Sequence, residues 1–175
     1  MQSVKVVVTG PFNAGKTTFI KSVSEITVLS TERQISDVSH EGSGETTVAM
    51  DFGRITISDD VVLYLFGTPG QERFSFMWET LSEGMLGFVL LVDTSSTESI
   101  ADATSMIRFF KDMSDVPFVV AANNVAADDL EALRDVRTAL EIDDSVPLLP
   151  VDARDRDSVK AVLLGLLYRI LESMG

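Results

Sequence analysis

The most informative chemistry in the sequence lies near its start, where residues 10–17 read GPFNAGKT and match the pattern G-x-x-x-x-G-K-S/T. Glycine lets a backbone curl so tightly that its N–H groups and a following helix N-terminus surround phosphate oxygens. In such a loop, Lys16 would neutralise the β- and γ-phosphates, and the hydroxyl of Thr17 would bind magnesium. The alternative interpretation is a Gly-rich turn that carries an exposed lysine. The pattern predicts phosphate contacts from Asn13, Ala14, Gly15, Lys16, Thr17 and Thr18.

The segments around this loop are those that must position it. A β-branched run at residues 4–9 precedes the loop, and a helix-compatible stretch at 16–25 follows it. Further along, apolar runs alternate with segments of helical spacing, the clearest at 159–170. This alternation predicts a single α/β domain over residues 1–175, with a mostly parallel sheet, helices on both faces and a ligand site at the carboxyl ends of the strands. Strands are expected at residues 4–9, 48–57, 61–66, 86–92, 117–122 and 148–151.

Two local features modify this pattern. Residues 26–46 are rich in Ser, Thr, Glu and Gly and have no stable period, which predicts a mobile or binding loop. In the following strand the apolar residues alternate up to Phe52 and change phase at Ile55, which predicts a β-bulge near Gly53. The turn at residues 58–60 then joins this strand and the next into a hairpin.

Composition and charge exclude several classes of function. The 175 residues include 14 Lys and Arg against 27 Asp and Glu. With this net charge of −13, the sequence predicts no basic patch that would bind nucleic acid or an anionic membrane. The sequence has no cysteine, which excludes disulfides, thiolate metal sites and cysteine-borne lipid anchors. Its only histidine is His40, so a Ser-His-Asp triad lacks its parts. The longest apolar run, 84–92, is too short to span a membrane, and we expect a cytoplasmic protein without a direct membrane anchor.

The phosphate loop is the first of a larger set of motifs. It is followed by TTVAMDF at residues 46–52 and GTPGQER at residues 67–73, and this order and spacing resemble the first three motifs of Ras-like small GTPases. More narrowly, TTVAMDFG, YLFGTPGQERF and VDARDR resemble a prokaryotic branch, the conservon-type GTPases of actinobacteria and the related gliding-motility GTPases of the MglA kind. The resemblance implies a Ras-like G domain of the P-loop NTPase fold, with six strands, one of them an antiparallel edge strand, and helices on both faces.

The resemblance also implies roles for individual residues. Thr47 matches the threonine that binds magnesium and contacts the γ-phosphate, Gly70 the glycine whose N–H donates to that phosphate, and Gln71 the glutamine that orients the attacking water. The implied catalytic residues are Lys16, Thr47 and Gln71, and the implied metal ligands are Thr17 and Thr47. For Thr47 and Gln71, the alternatives are a strand edge and an exposed loop residue. Contacts to the nucleotide base are implied for Asn123, Asp152, Ala153 and Arg154.

Several positions depart from the family pattern. Gly67 stands where most small GTPases have an aspartate, so a water-mediated contact to magnesium is missing and a lower metal affinity is expected. Residues 123–126, Asn-Asn-Val-Ala, replace N-K-x-D, and Ala126 removes the carboxylate that accepts from guanine, at a cost in discrimination of roughly a few kcal/mol. Phe12 and Asn13 stand where smaller residues lie near the γ-phosphate, and we expect slow intrinsic hydrolysis.

The expected function is that of a molecular switch, which binds GTP or GDP with magnesium, hydrolyses GTP slowly and presents different loop surfaces in its two states. By resemblance, a small Roadblock/LC7-type protein is the expected partner at the two switch segments. Two alternatives stay open: a base-unselective or ATP-using P-loop hydrolase, and a pseudo-GTPase that acts only as an interaction module. The aromatic cluster of Phe74, Phe76, Met77 and Trp78 fits either core packing or a partner surface.

Overall fold

A computed structural model describes the backbone of residues 1–35 and 46–175, and the side chains of residues 1–28 and 50–175. Within these ranges, strands and helices alternate as the sequence predicts. The strands are β1 (Gln2–Thr9), β2 (Leu29–Ile35), β3 (Thr46–Ser58), β4 (Val61–Gly67), β5 (Gly87–Asp93), β6 (Phe118–Asn123) and β7 (Leu148–Val151). The helices are α1 (Lys16–Val23), α2 (Phe76–Ser82), α3 (Thr97–Met113), α4 (Leu130–Ala139) and α5 (Arg156–Met174), with a 3-10 turn at Glu72–Phe74.

The sheet has one more strand than the sequence predicts. Across the described ranges its order is β2-β3-β4-β1-β5-β6-β7, and β3 is antiparallel to both neighbours while the other pairs are parallel. The antiparallel strand is therefore internal, and the prediction that it lies at the edge of six strands is wrong. The strand β2 lies within the predicted loop. It pairs with β3 on one side, through backbone hydrogen bonds that require no alternation of apolar side chains, so its polar sequence does not indicate a strand. Residues 36–45, including His40, lie outside the described residues.

The β-bulge lies nearer the hairpin turn than predicted. Pairing of β3 with β4 is regular through Gly53 and shifts register between Thr56 and Ser58. A Cβ on Gly53 would lie 2.6 Å from the Ile20 side chain of α1, so the glycine allows the helix to pack closely. Phe52 alternates to the opposite face, where its ring centre lies 5.9 and 5.0 Å from those of two aromatic residues in β4. Because both faces of β3 are apolar here, alternation alone misplaces the bulge.

Apolar layers cover both faces of the sheet. One layer packs beneath α1 and α5 and includes Phe19 and Leu163, both fully buried. The other packs beneath α3 and α4 and is rich in aromatic residues, among which the rings of Phe88 and Phe118 stack with centres 4.8 Å apart. Strands buried on both faces have nearly continuous apolar sequences, which is the pattern from which they were predicted. The α/β fold with helices on both faces is thus confirmed.

The helix N-termini differ in a way that matters for the site. Side chains cap three of the described helices, as Ser96 does at α3, Asp129 at α4 and Asp155 at α5. By contrast, α1 begins after Gly15, which has no side chain to accept from the first N–H groups. The sequence pattern does not predict α2, whose seven residues are too few to establish a period. None of the described helices is both long and apolar enough to cross a bilayer.

Candidate functional site

The loop between β1 and α1 has the shape of an anion cradle. Its backbone enters the left-handed region at Asn13 (φ 63°) and at Gly15 (φ 106°). Asparagine tolerates that region better than most residues. Position 15 requires glycine for a second reason, because a Cβ there would lie 2.9 Å from Asn123 Nδ2. The loop therefore brings a curled backbone next to the uncapped N–H groups of α1, an arrangement suited to binding phosphate.

The Lys16 ammonium group is turned onto its own loop. Its Nζ donates to the carbonyl oxygens of Gly10 at 2.6 Å and Pro11 at 2.7 Å. Burial lowers the pKa of Lys16 from 10.5 to about 8, although the negative charge of Asp51 acts in the opposite direction. Two direct partners of this buried cation are neutral carbonyls. A phosphate group would give it a full counter-charge, which makes Lys16 suited to its predicted role.

Thr17 links the first turn of α1 to β3. Its Oγ1 donates to Asp51 Oδ2 at 2.5 Å. Hydroxyl and carboxylate oxygens suit magnesium, so the residues present fit this ion. In the described part of the chain, no group of three or more acidic or histidine side chains could hold a metal by itself, so phosphate and water oxygens would have to complete the shell. Thr47, the second predicted magnesium ligand, is not among the residues whose side chains are described; its backbone pairs with Gln34 in β2.

The segment after β4 lies directly against the phosphate loop. A Cβ built on Gly70 would lie 2.4 Å from Phe12 N and 2.7 Å from Lys16 Nζ. In the floor of the site, the buried Thr68 Oγ1 donates to Thr9 Oγ1 at 2.8 Å. A cavity of about 480 Å³ lies between the two segments, and the predicted residues Asn13, Gly15, Lys16, Thr17, Thr18, Gly70 and Gln71 line it together with Asp51. Ala14 is buried behind the loop.

The side chain of Gln71 is held by a neighbour. Its Oε1 accepts from Arg73 Nε at 2.7 Å. The Arg73 guanidinium in turn lies 4.7 Å from the centre of the Phe74 ring, within the range of a cation–π contact. A glutamine that orients a water must aim its amide at that water, so Gln71 has to leave Arg73 before it can act as predicted.

The aromatic cluster after Gln71 divides between core and surface. Phe74 and Trp78 are 6% and 4% exposed, whereas Phe76 is 55% exposed. Trp78 Nε1 donates to the carbonyl oxygen of Pro69 at 2.7 Å and so ties α2 to the segment that lies on the phosphate loop. The core interpretation therefore holds for Phe74 and Trp78, and Phe76 remains available at the surface.

Asn123, at the end of β6, joins the phosphate loop to the loop after β7. Its Nδ2 donates to the carbonyl oxygen of Ala14 at 3.1 Å, and its Oδ1 accepts from Ala153 N at 3.3 Å. Both bonds are buried, and the Ser22 hydroxyl of α1 also donates to the carbonyl oxygen of Ala153. The side-chain amide of Asn123 thus acts as a spacer between two loops that the sequence predicts to hold opposite ends of one nucleotide.

The other predicted base contacts, Asp152 and Arg154, are exposed in the loop after β7 and do not line the 480 Å³ cavity. Asp152 is exposed, and the side-chain and backbone hydrogen bonds from Arg154, at 3.1 and 3.0 Å, hold its pKa below the usual range. Ala126 is exposed and offers no carboxylate. The nearby carboxylate of Asp129 is used as the helix cap of α4, where it accepts from Ala132 N at 3.0 Å. Neither Ala126 nor Asp129 therefore supplies the free carboxylate that the N-K-x-D motif provides in small GTPases.

Asp51 is the residue of the site that the sequence motifs leave unassigned. It lies within TTVAMDF, and its side chain reaches Thr17 from the neighbouring element. The signal that could have found it is an acidic residue in the middle of a strand with apolar neighbours on both sides, because a carboxylate seldom occupies such a position without a partner.

Replacing Asn123 with alanine is expected to lower the free energy of unfolding by about 2–4 kcal/mol, because the buried Ala14 carbonyl and Ala153 N–H lose their partner. Urea unfolding followed by circular dichroism measures this change. The control is Asn124→Gly, which removes only an exposed hydrogen bond to Asp93 Oδ1 (2.9 Å) at a position whose left-handed backbone (φ 63°) glycine tolerates. Equal stability of the two variants would contradict the role of Asn123 as a spacer.

Comparison with known proteins identifies the family. A family model described as "Conserved hypothetical ATP binding protein" matches residues 28–173, which is most of the chain after the phosphate loop. An uncharacterized protein of Methanocaldococcus jannaschii is 31% identical over 128 residues, which are 73% of this chain and 74% of that protein.

More distant similarity extends to proteins with names from the Ras superfamily. ADP-ribosylation factor-like protein 3 of Saccharomyces cerevisiae is 21% identical over 97% of this chain and 86% of its own length. The Ras-related protein RABD1 of Arabidopsis thaliana is 24% identical over 81% of this chain and 72% of its own length. The chain therefore belongs to the family of conserved hypothetical ATP binding proteins and is a nucleotide-binding P-loop NTPase related to the small GTPases.

Proposed function

We propose that this P-loop NTPase is a magnesium-dependent GTP-binding switch that hydrolyses GTP slowly. The contact of Gly70 with Phe12 and Lys16 carries this proposal, because a segment that lies on the phosphate loop must move when a γ-phosphate enters. Lys16 and the N–H groups at the start of α1 would bind the β- and γ-phosphates. Thr17 and Thr47 would hold magnesium, whose charge neutralises phosphate oxygens when it is bound. After hydrolysis and loss of the γ-phosphate, the segment would close again.

Slow hydrolysis follows from the surroundings of Gln71. In-line attack requires a water that is held in one orientation, and here the Gln71 amide must first give up its 2.7 Å hydrogen bond with Arg73. Phe12, which is 60% exposed, lines the same cavity and restricts the space beside Gly70. A partner protein that engages the Arg73 guanidinium in a new contact would break its hydrogen bond with Gln71, and hydrolysis would then be faster.

Guanine is the proposed base because of a backbone donor in the loop after β7. The O6 atom of guanine accepts a hydrogen bond, whereas adenine carries an amino group that donates at the corresponding position. The N–H of Ala153, which makes a 3.3 Å bond to Asn123 Oδ1, would therefore suit guanine. Because Ala126 provides no carboxylate, we expect a modest preference for guanine of roughly ten- to a hundredfold.

ATP binding is the second candidate function. The description of the matching family as ATP binding favours it, and so does the absence of a carboxylate at Ala126. An ATP-using enzyme would share the phosphate loop, Lys16 and Thr17 with the proposed GTPase. The two candidates therefore differ in their recognition of the base and not in their contacts to phosphate.

Calorimetric titration with GDP and with ADP, both in the presence of magnesium, is expected to give an affinity at least about tenfold higher for GDP. Equal affinities would contradict guanine recognition, and tighter ADP binding would favour the second candidate. If neither nucleotide binds and none copurifies, the function is that of an interaction module. Trp78, the single tryptophan, gives a second readout: because its Nε1 bonds to the Pro69 carbonyl, GTP should change its fluorescence more than GDP does.

The prokaryotic branch, the cytoplasmic location and the Roadblock/LC7-type partner are parts of the same proposal. The surface next to the segment that covers the phosphate loop supports a protein partner. There, a groove of about 510 Å³ between this segment and α3 is lined by Phe12, Trp78 and Phe109. The carboxylates of Glu98 and Asp102 lie in the same groove, so a partner with basic residues would fit it better than an acidic one.

A further inference from the structure

Gly67 and Asp51 face each other across two paired strands. The register of β3 against β4 sets Asp51 opposite Gly67. A Cβ built on Gly67 would lie 3.2 Å from Asp51 Cβ and 3.5 Å from Asp51 Oδ2. The space next to position 67 is therefore already filled by the Asp51 side chain, which reaches it from the neighbouring strand, and by the Cδ1 methyl group of Ile20 at 3.0 Å.

The Asp51 carboxylate is also directed at the end of the site where magnesium is expected. Its Oδ2 accepts from Thr17 Oγ1 at 2.5 Å, and Thr17 is the phosphate-loop hydroxyl that fits a magnesium ligand. Asp51 lines the same cavity as Lys16. The carboxylate thus lies in one cavity with the lysine and with the hydroxyl that fits a metal ligand.

We propose that Asp51 replaces the carboxylate that Gly67 lacks and positions the water shell of the magnesium ion held by Thr17. The inference rests on the proposed function, because the ion is expected to arrive with the nucleotide. Asp51 is a positioning residue in this role, since it acts on the ion through water and through Thr17. If Asp51 has this role, the glycine at position 67 would not lower the metal affinity as the sequence predicts, because the neighbouring strand would supply the charge.

The test is the magnesium dependence of nucleotide release. The release rate of fluorescently labelled GDP is measured as magnesium chloride is titrated, which gives a midpoint for magnesium without any hydrolysis. Asp51→Asn is expected to raise this midpoint by about ten- to a hundredfold, the usual cost of removing a group that orients metal ligands. Asp59→Asn is the matched control, because Asp59 is an exposed residue in the turn of the same hairpin and its loss changes the net charge equally.

A midpoint for Asp51→Asn within threefold of the wild-type value would overturn the inference, provided that the wild-type protein responds to magnesium. A wild-type protein that binds no nucleotide would instead contradict both the inference and the proposed function. If Asp51→Asn does not fold, the exchange variant Asp51→Gly with Gly67→Asp decides, because it moves the carboxylate to the facing strand and keeps its charge. A midpoint close to that of the wild type supports the inference, and one raised more than tenfold overturns it.

Discussion

Replacing Lys16 with methionine is expected to lower the affinity for GDP and GTP by at least about a hundredfold, because hydrogen bonds from a charged donor contribute about 1.5–3 kcal/mol each. Calorimetric titration measures the loss. Lys21→Met, at an exposed position of the same helix, is the control and should bind normally. An affinity within tenfold of the wild-type value would show that this lysine does not contact phosphate.

The same variant, although it weakens nucleotide binding, is expected to increase the stability of the nucleotide-free protein at neutral pH. The pKa of Lys16 is lowered from 10.5 to about 8 in the folded chain, so the unfolded chain binds more protons between these values and the stability of the wild type rises with pH across this window. Below pH 8 the charged form of Lys16 costs the wild-type protein roughly 3 kcal/mol relative to the neutral form. Urea unfolding should therefore show a stability gain for the methionine variant at pH 7 that shrinks towards pH 10. A gain that grows with pH would contradict this account.

Replacing Gly70 with alanine is expected to slow GTP hydrolysis by about a hundredfold or more while GDP affinity changes only a few-fold. The added Cβ would lie 2.4 Å from Phe12 N, and because that atom belongs to the backbone, the segment after β4 must move away from the phosphate loop. The displaced Gly70 N–H can then no longer donate to the γ-phosphate, whereas contacts of the phosphate loop to GDP remain.

Single-turnover hydrolysis of preloaded GTP measures this effect. Gly165→Ala is the control, since Gly165 lies within α5 and its new Cβ would meet only a flexible methyl group of Leu149, at 3.2 Å. Hydrolysis at the wild-type rate in the Gly70 variant would mean that the contact between this segment and the phosphate loop has no part in the reaction.

The fold could be predicted because its elements are encoded locally. The central strands are buried on both faces, so their apolar runs identify them without knowledge of their partners. The helices show apolar periodicity, and the side chains of Ser96, Asp129 and Asp155 mark where three of them begin. The strand β2 escaped prediction because its pairing depends on the backbone of β3 rather than on its own side chains.

The candidate site could be predicted only as far as its residues belong to continuous motifs. The phosphate loop is one stretch of chain with a single curled backbone, and its residues were therefore found together. The contact of Asp51 with Thr17 joins residues that are 34 positions apart and depends on the register of two strands, which motif spacing does not contain. The hydrogen bond between Arg73 and Gln71 joins residues that are close in sequence. The direction of the Arg73 side chain, however, depends on its packing against Phe74, which the motif does not contain.

The amide spacer at Asn123 has a consequence for how the whole ligand is held. By bonding to Ala14 on one side and Ala153 on the other, it fixes the distance between the two loops before any ligand arrives. A nucleotide bound as proposed would then act as a bivalent ligand: once its phosphates are bound, the base would meet the loop after β7 at a high effective concentration. Phosphate alone and nucleoside alone would each lack this advantage, so the site would favour the intact nucleotide by more than the sum of its parts.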